Sequence, residues 1–193
     1  MINFRTPRVG DKPWVDELLS YADFRGCEYT FTNLFVWNEM YKTEIARFED
    51  FLLVHFVGSI GPCYLYPAGR GDWDAVLEAL EDDAALRGEP LQFMSLTEEN
   101  RTALKGYTPD RFSFFRDRAG YDYIYLTSKL ADLPGKHLHA KRNHINRFLE
   151  ENDNWQFELL TRENLGDCLK LDEAWSLESG EQRKTAAKME VSA

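Results

Sequence analysis

Residues Glu44–Tyr66 read EIARFEDFLLVHFVGSIGPCYLY, and this stretch decides the fold. Glu44–Phe48, Phe51–Val57 and Cys63–Tyr66 are short runs rich in Val, Ile, Phe and Tyr, parted by turn signals at Glu49-Asp50 and Gly58–Pro62. Residues that branch at Cβ or carry rings favour the pleated backbone, so the runs read as strands. Turns this short reverse the chain between neighbours, which predicts an antiparallel meander.

On the amino-terminal side, Trp14, Leu18 and Leu19 recur at helical spacing, so Pro13–Ala22 reads as a helix with Pro13 in its first turn and Asp11 as its cap. Arg25–Tyr29 is a connection, and Thr32–Tyr41, with Leu34, Phe35, Trp37 and Met40 apolar, is a second helix. On the carboxyl side, Asp72–Arg87 is a helix with Trp73, Val76, Leu77 and Leu80 on one face and a Gly88 stop. Leu91–Met94 reads as a short strand, and Thr97–Lys105 as a helix opened by Thr97 and stopped by Gly106. The alternation in Phe112–Arg118 and Tyr121–Leu126 predicts a strand pair. A turn of helix or a loop at Leu130–Leu133, a basic helix over Lys136–Asn152, a strand at Trp155–Leu160 and a helix over Arg162–Leu177 complete the order.

Two helices, a meander, a helix and a further strand give an α+β class with a mainly antiparallel central sheet flanked by helices. The order fits the N-acetyltransferase-like (GNAT) plan. Residues 1–154 are expected to form a first GNAT-like domain and residues 155–193 to begin a second one that the chain does not complete. Leu165, Leu169, Leu171 and Trp175 give the last helix an apolar face, and the tail from Ser179 has little to cover it. That face is expected to be exposed or covered by another chain.

The 193 residues carry a net charge of −10, against a histone-like or nucleic-acid-coating role. No apolar run approaches the roughly 18–20 residues needed to span a bilayer, and the first residues, MINFRTPRVG, lack the core of a signal peptide. Cys27, Cys63 and Cys168 are far apart, odd in number and outside any zinc spacing, as in a protein with reduced thiols. These features together predict a cytoplasmic location.

Positive charge collects in Lys129–Arg147, where Lys129, Lys136, Lys141, Arg142 and Arg147 face only Asp132 and where His137, His139 and His144 also lie. At 100° per residue, Leu138, Ile145, Phe148 and Leu149 form an apolar stripe, with Lys141 and Arg142 at its flanks. A cation beside a buried stripe needs a carboxylate, a solvent-reaching stem or an anionic ligand. The amino end of this helix is thus a candidate phosphate or carboxylate grip, with Arg142 as a bidentate fork and Lys141 as a point charge. Lys136, Asn143 and Asn146 join the candidate binding set, and His139 is a candidate general base. Arg142 is expected to be partly buried and to face a cleft or a carboxylate from elsewhere, Glu28 or Asp122. The histidines show no metal spacing.

Three runs carry a resemblance: Tyr121-Asp-Tyr-Ile-Tyr-Leu126; Leu130 with Leu133-Pro-Gly-Lys136; and Lys141-Arg-Asn-His-Ile-Asn-Arg-Phe148. With Glu28-Tyr-Thr-Phe-Thr-Asn-Leu34 and Trp37, they resemble a bacterial family of unknown function that is similar to the C-terminal domain of phosphatidylglycerol lysyltransferase. The resemblance implies tandem GNAT folds related to aminoacyl-tRNA-dependent Fem transferases, and adds Glu28, Asn33, Trp37, Asp122, Tyr123 and Tyr125 as candidate site residues. It implies an aminoacyl- or acyltransferase that moves an activated acyl group to an amine or hydroxyl acceptor. Its partners would be aminoacyl-tRNA, a phosphate-bearing lipid or a small molecule, and a second GNAT-like domain. The other reading is a non-catalytic binding or scaffold half. The chain lacks the R/Q-x-x-G-x-G/A loop that cradles the pyrophosphate of coenzyme A, and the sequence identifies no cofactor.

Overall fold

The computed structural model of the chain describes residues 2–22 and 24–178, which divide into compact units on either side of the Ile124–Tyr125 bond. The first unit is built on a mixed sheet. β1 (Glu44–Phe48) pairs antiparallel with β2 (Phe51–Gly58), and β2 pairs antiparallel with β3 (Gly61–Leu65). A short β4 (Ala68–Gly69) also pairs with β2, and β5 (Phe93–Met94) lies parallel to β3. The expected meander is present, with one parallel pair at its edge.

The apolar run at the centre of β2 explains the layering. Phe51, Leu52, Leu53, Val54 and His55 are all buried, which requires cover on both faces. Phe51 and Leu53 pack with Trp73, Val76, Leu80 and Ala84 of α4 (Trp73–Arg87) and with Leu104 of α5 (Glu98–Tyr107). Leu52 and Val54 face the other way, onto Val15 and Leu18 of α1 (Lys12–Ser20) and Phe31 and Leu34 of α2 (Phe31–Val36).

Local signals set most helix ends. Asp72 caps α4 by accepting from the Asp74 and Ala75 amides, and Gly88 ends it in the left-handed region at φ 70°. Thr97 caps α5 by accepting from the Asn100 amide. Gly106 does not stop α5, which runs on to Tyr107; the Thr108 hydroxyl then donates to the Leu104 carbonyl. The expected helix over Thr32–Tyr41 breaks at Trp37 into α2 and α3 (Asn38–Tyr41), where the Asn38 side-chain amide binds the Phe35 carbonyl.

Asp11 corrects a second expectation. Its carboxylate does not cap α1. It accepts instead from the Arg5 guanidinium, from Trp14 Nε1 at 2.9 Å and from the Arg8 amide at 2.7 Å. The Arg5 pair, aided by the Trp14 and Arg8 bonds, holds this buried carboxyl well below the usual carboxylate range. A carboxylate whose folded pKa is depressed adds stability above its unfolded value, about 3.9, and that stability is lost as pH falls towards the folded value. Acid titration of unfolding is therefore expected to show a weaker loss below pH ~4 in Asp11→Asn. An acid limb as steep as in the parent chain would contradict this role.

Residues 112–126 do not form the expected strand pair; they carry no strand, and a 3-10 turn lies at Arg118–Gly120. Phe112 and Phe114 pack against the core, while Phe115 and Tyr123 are about nine-tenths exposed. Alternation assigns faces, but a strand also needs a neighbour to take its backbone groups. Trp155–Leu160 likewise has no strand geometry among the described residues.

The second unit holds α6 (Thr127–Asp132), a 3-10 turn at Lys136–Leu138, α7 (His139–Glu151) and α8 (Leu165–Glu178). Phe148 meets Trp155 edge-to-face with centroids 6.2 Å apart. The apolar stripe of α7 is not buried here: Ile145, Phe148 and Leu149 are each more than two-fifths exposed. Leu165, Leu169, Leu171 and Trp175 of α8 are exposed too, in line with the sparse apolar content of the residues that follow. The tail from Ser179 lies outside the described residues.

Candidate functional site

Lys136, His139, Lys141, Asn143 and Asn146 are all exposed on α7 and the turn before it. His139 Nδ1 lies 3.4 Å from the Asn143 side-chain nitrogen, so the two share one face one turn apart. Arg142 alone of this set is half-buried, as expected, but its partners are backbone carbonyls and not the carboxylate that was one of its two expected destinations. Its guanidinium donates to the carbonyl of Leu133 and, at 3.0 Å, to that of Gly135.

These carbonyls belong to the turn that ends α6. Leu133 is the C-cap, in the left-handed conformation at φ 44°, and its side chain is buried. A cation at a helix carboxyl end meets unpaired carbonyls and the negative pole of the helix dipole. Arg142 therefore joins α7 to the Leu133-Pro-Gly-Lys136 turn, which explains its place beside the apolar stripe. Arg142→Lys offers a point charge where a planar fork served two acceptors. It is expected to cost about 1 kcal/mol and to speed amide hydrogen exchange across residues 127–135. Unchanged exchange there would remove the capping role.

In the first unit, Glu28, Asn33 and Asp122 gather around Cys27. Glu28 lies in the 3-10 turn Cys27–Tyr29 and accepts at 3.1 Å from the Ser95 hydroxyl. The Asn33 amide donates to the Cys27 carbonyl at 2.9 Å, which the Thr30 hydroxyl also reaches. Burial, then the charges of Glu28 and Asp122, push the Cys27 thiol up. Beneath this turn the buried Tyr29 hydroxyl donates to the Tyr66 carbonyl, and burial pushes the Tyr66 hydroxyl up to about 12. Trp37 is half exposed, with its ring 6.5 Å from Tyr41. Tyr123 and Tyr125 are exposed, in the first and second units respectively.

No sequence pattern pointed to the polar cluster at the other end of α4. His55 is buried, with Nε2 3.0 Å from Glu89 and Nδ1 3.4 Å from Arg87. Arg87 also binds Asp83 at 2.8 Å and Glu44 at 2.9 Å, and the Tyr64 hydroxyl donates to Asp83 at 2.7 Å. Thr6, Asn38, Glu44, His55 and Arg87 line an open hollow of about 510 Å³. The only available signal was a histidine inside an apolar strand. Among the described residues no helix is long and apolar enough to cross a membrane.

Known proteins share this architecture. A solved structure of a conserved protein of unknown function from Bacteroides thetaiotaomicron VPI-5482 is 34% identical and superposes with a TM-score of 0.80. The match covers 95% of this chain and 62% of that one, so the chain spans less than two thirds of its solved relative. No curated protein matches the chain. The family model described as "Phosphatidylglycerol lysyltransferase, C-terminal" matches residues 20–192, which takes in both the Cys27 turn and the basic helix. The chain therefore belongs to the phosphatidylglycerol lysyltransferase C-terminal family.

Proposed function

We propose that the chain is part of an aminoacyl- or acyltransferase that moves an activated acyl group onto an amine or hydroxyl acceptor. The observation that carries this reading is the family match over residues 20–192. An enzyme of this kind acts by positioning two substrates and by stabilising the oxyanion that forms between them. Lys136 and Lys141, exposed and close to the amino end of α7, are the groups offered to a phosphate of a tRNA end or a lipid headgroup. Arg142 supports them through the turn it caps. Asn143 and Asn146 orient substrate, and His139, beside Asn143, is the base. A second GNAT-like domain, beginning near residue 155 and completed in a longer chain, would supply the rest of the site.

One observation favours a scaffold instead: the strongest anion-binding group of the basic helix, Arg142, is already bound to two carbonyls. The test supplies the protein with aminoacyl-tRNA bearing a labelled amino acid and with phosphatidylglycerol vesicles, and follows label into the lipid. Transfer that falls at least tenfold in Lys141→Ala supports the enzyme. No transfer by the longest chain, to lipid or to a free amine, would leave the scaffold.

A further inference from the structure

Ser95 follows β5 directly and is parted from α5 only by Leu96 and Thr97. It sits in the left-handed region at φ 58°, an uncommon place for a residue with a side chain. Because β5 is parallel to β3, Ser95 lies at the carboxyl end of a parallel pair, where α/β sheets place their ligands. The residue is exposed, and its hydroxyl donates to Glu28 Oε1 at 3.1 Å, although Glu28 lies 67 positions earlier in the chain. The other oxygen, Oε2, rests against Gly26: a Cβ there would come within 2.7 Å of it. The bare glycine thus lets the carboxylate lie where Ser95 meets it.

A serine turned outward at a sharp strand-to-helix bend, hydrogen-bonded to a base, is the arrangement of an activated nucleophile. The neighbouring thiol is the competitor. Burial and the charges of Glu28 and Asp122 push Cys27 up, which lowers its thiolate fraction near neutral pH. The hydroxyl, in contrast, has an acceptor for its proton in hydrogen-bond reach.

We propose that Ser95 is an acyl-accepting nucleophile and that Glu28, in place of His139, is the base, so that transfer passes through an acyl-serine. This rests on the acyl-transfer reading above for the class of donor, an activated carboxylic ester. In the first half, Ser95 Oγ bonds to the ester carbonyl carbon and the bond to the leaving alcohol breaks. The serine proton passes to Glu28 and from there to the departing alkoxide. In the second half, an amine or hydroxyl acceptor attacks the acyl-serine, its proton passes through Glu28 to Oγ, and serine is restored. The first-turn N–H groups of α5, at Glu98 and Glu99, have no intrahelical acceptor and serve the oxyanion.

The test uses p-nitrophenyl acetate as a generic activated ester. A burst of p-nitrophenol is measured, and the acetyl group is mapped by peptide mass spectrometry. One acetyl group on Ser95 is expected. Glu28→Gln should slow its formation about 100-fold. Ser95→Ala and Ser95→Gly should both abolish it. Ser95→Gly also separates chemistry from folding: glycine adopts the left-handed conformation freely, so the melting temperature should hold or rise. Acetylation of Cys27 instead of Ser95, or a burst unchanged in Ser95→Gly, would overturn the proposal. A Ser95→Gly chain that still transfers aminoacyl groups at the parent rate would overturn the nucleophile and leave the transferase. A labelled Ser95 in a protein that transfers to no acceptor would do the reverse.

Discussion

Arg87→Ala is expected to lower the stability of the first unit by about 3 kcal/mol, the largest loss for any single charged side chain in it. Arg87 holds two carboxylates at once, Asp83 and Glu44, and meets His55 on its inner side. Asp83 is the costly partner. Its side chain is 8% exposed, and without Arg87 its charge would keep only the Tyr64 hydroxyl among the bonds seen here. Burial and Asp83 itself push that hydroxyl up, so Tyr64 remains a donor and cannot neutralise the charge. Removing one partner of a buried pair costs about 3–5 kcal/mol, and the lower end applies because Arg87 is itself a quarter exposed. Urea unfolding followed by tryptophan fluorescence measures the change. Arg87→Lys should recover part of it, since the charge returns without the fork. A loss under ~1 kcal/mol for Arg87→Ala would mean that the cluster is a surface network with little net effect.

Leu53→Ala is expected to cost about 3–4 kcal/mol, again read from urea unfolding. Leu53 is fully buried in the middle of β2, packed in the cluster shared with Trp73, Val76 and Leu80 of α4. Truncation loses the transfer energy of its methyl and methylene groups. It also leaves a cavity, because the strand, hydrogen-bonded on both sides, cannot collapse into the space. The contrast within the same chain is Trp175→Ala. Trp175 is larger but 71% exposed, so its loss should stay within ~0.5 kcal/mol. A Trp175 effect as large as that of Leu53 would show that α8 is covered in solution.

Much of the first unit was legible in the sequence because its signals are local. Glu49-Asp50 and Gly58–Pro62 are turn sequences, and the strands they join pair with each other in the register those turns impose. Asp72, Thr97 and Gly88 act within four residues of themselves, so the order of neighbouring residues is enough to mark both ends of α4 and the start of α5. The resemblance rested on short contiguous runs, and the family match confirms it.

What the tertiary structure alone decided depends on partners far apart in the chain. Whether Tyr121–Leu126 and Trp155–Leu160 become strands turns on a neighbouring edge, which alternation does not encode. Whether Arg142 meets a carboxylate or a carbonyl turns on the path of the Leu133–Gly135 turn, which nine residues of spacing did not reveal. The Ser95–Glu28 contact and the contacts of Arg87 with His55 and Glu44 likewise join residues separated by tens of positions. The sequence by itself determined the helix–helix–meander–helix order and the family. Side-chain chemistry at a distance was left to the packing, because a hydrogen bond is fixed by where two groups meet in space and not by their order along the chain.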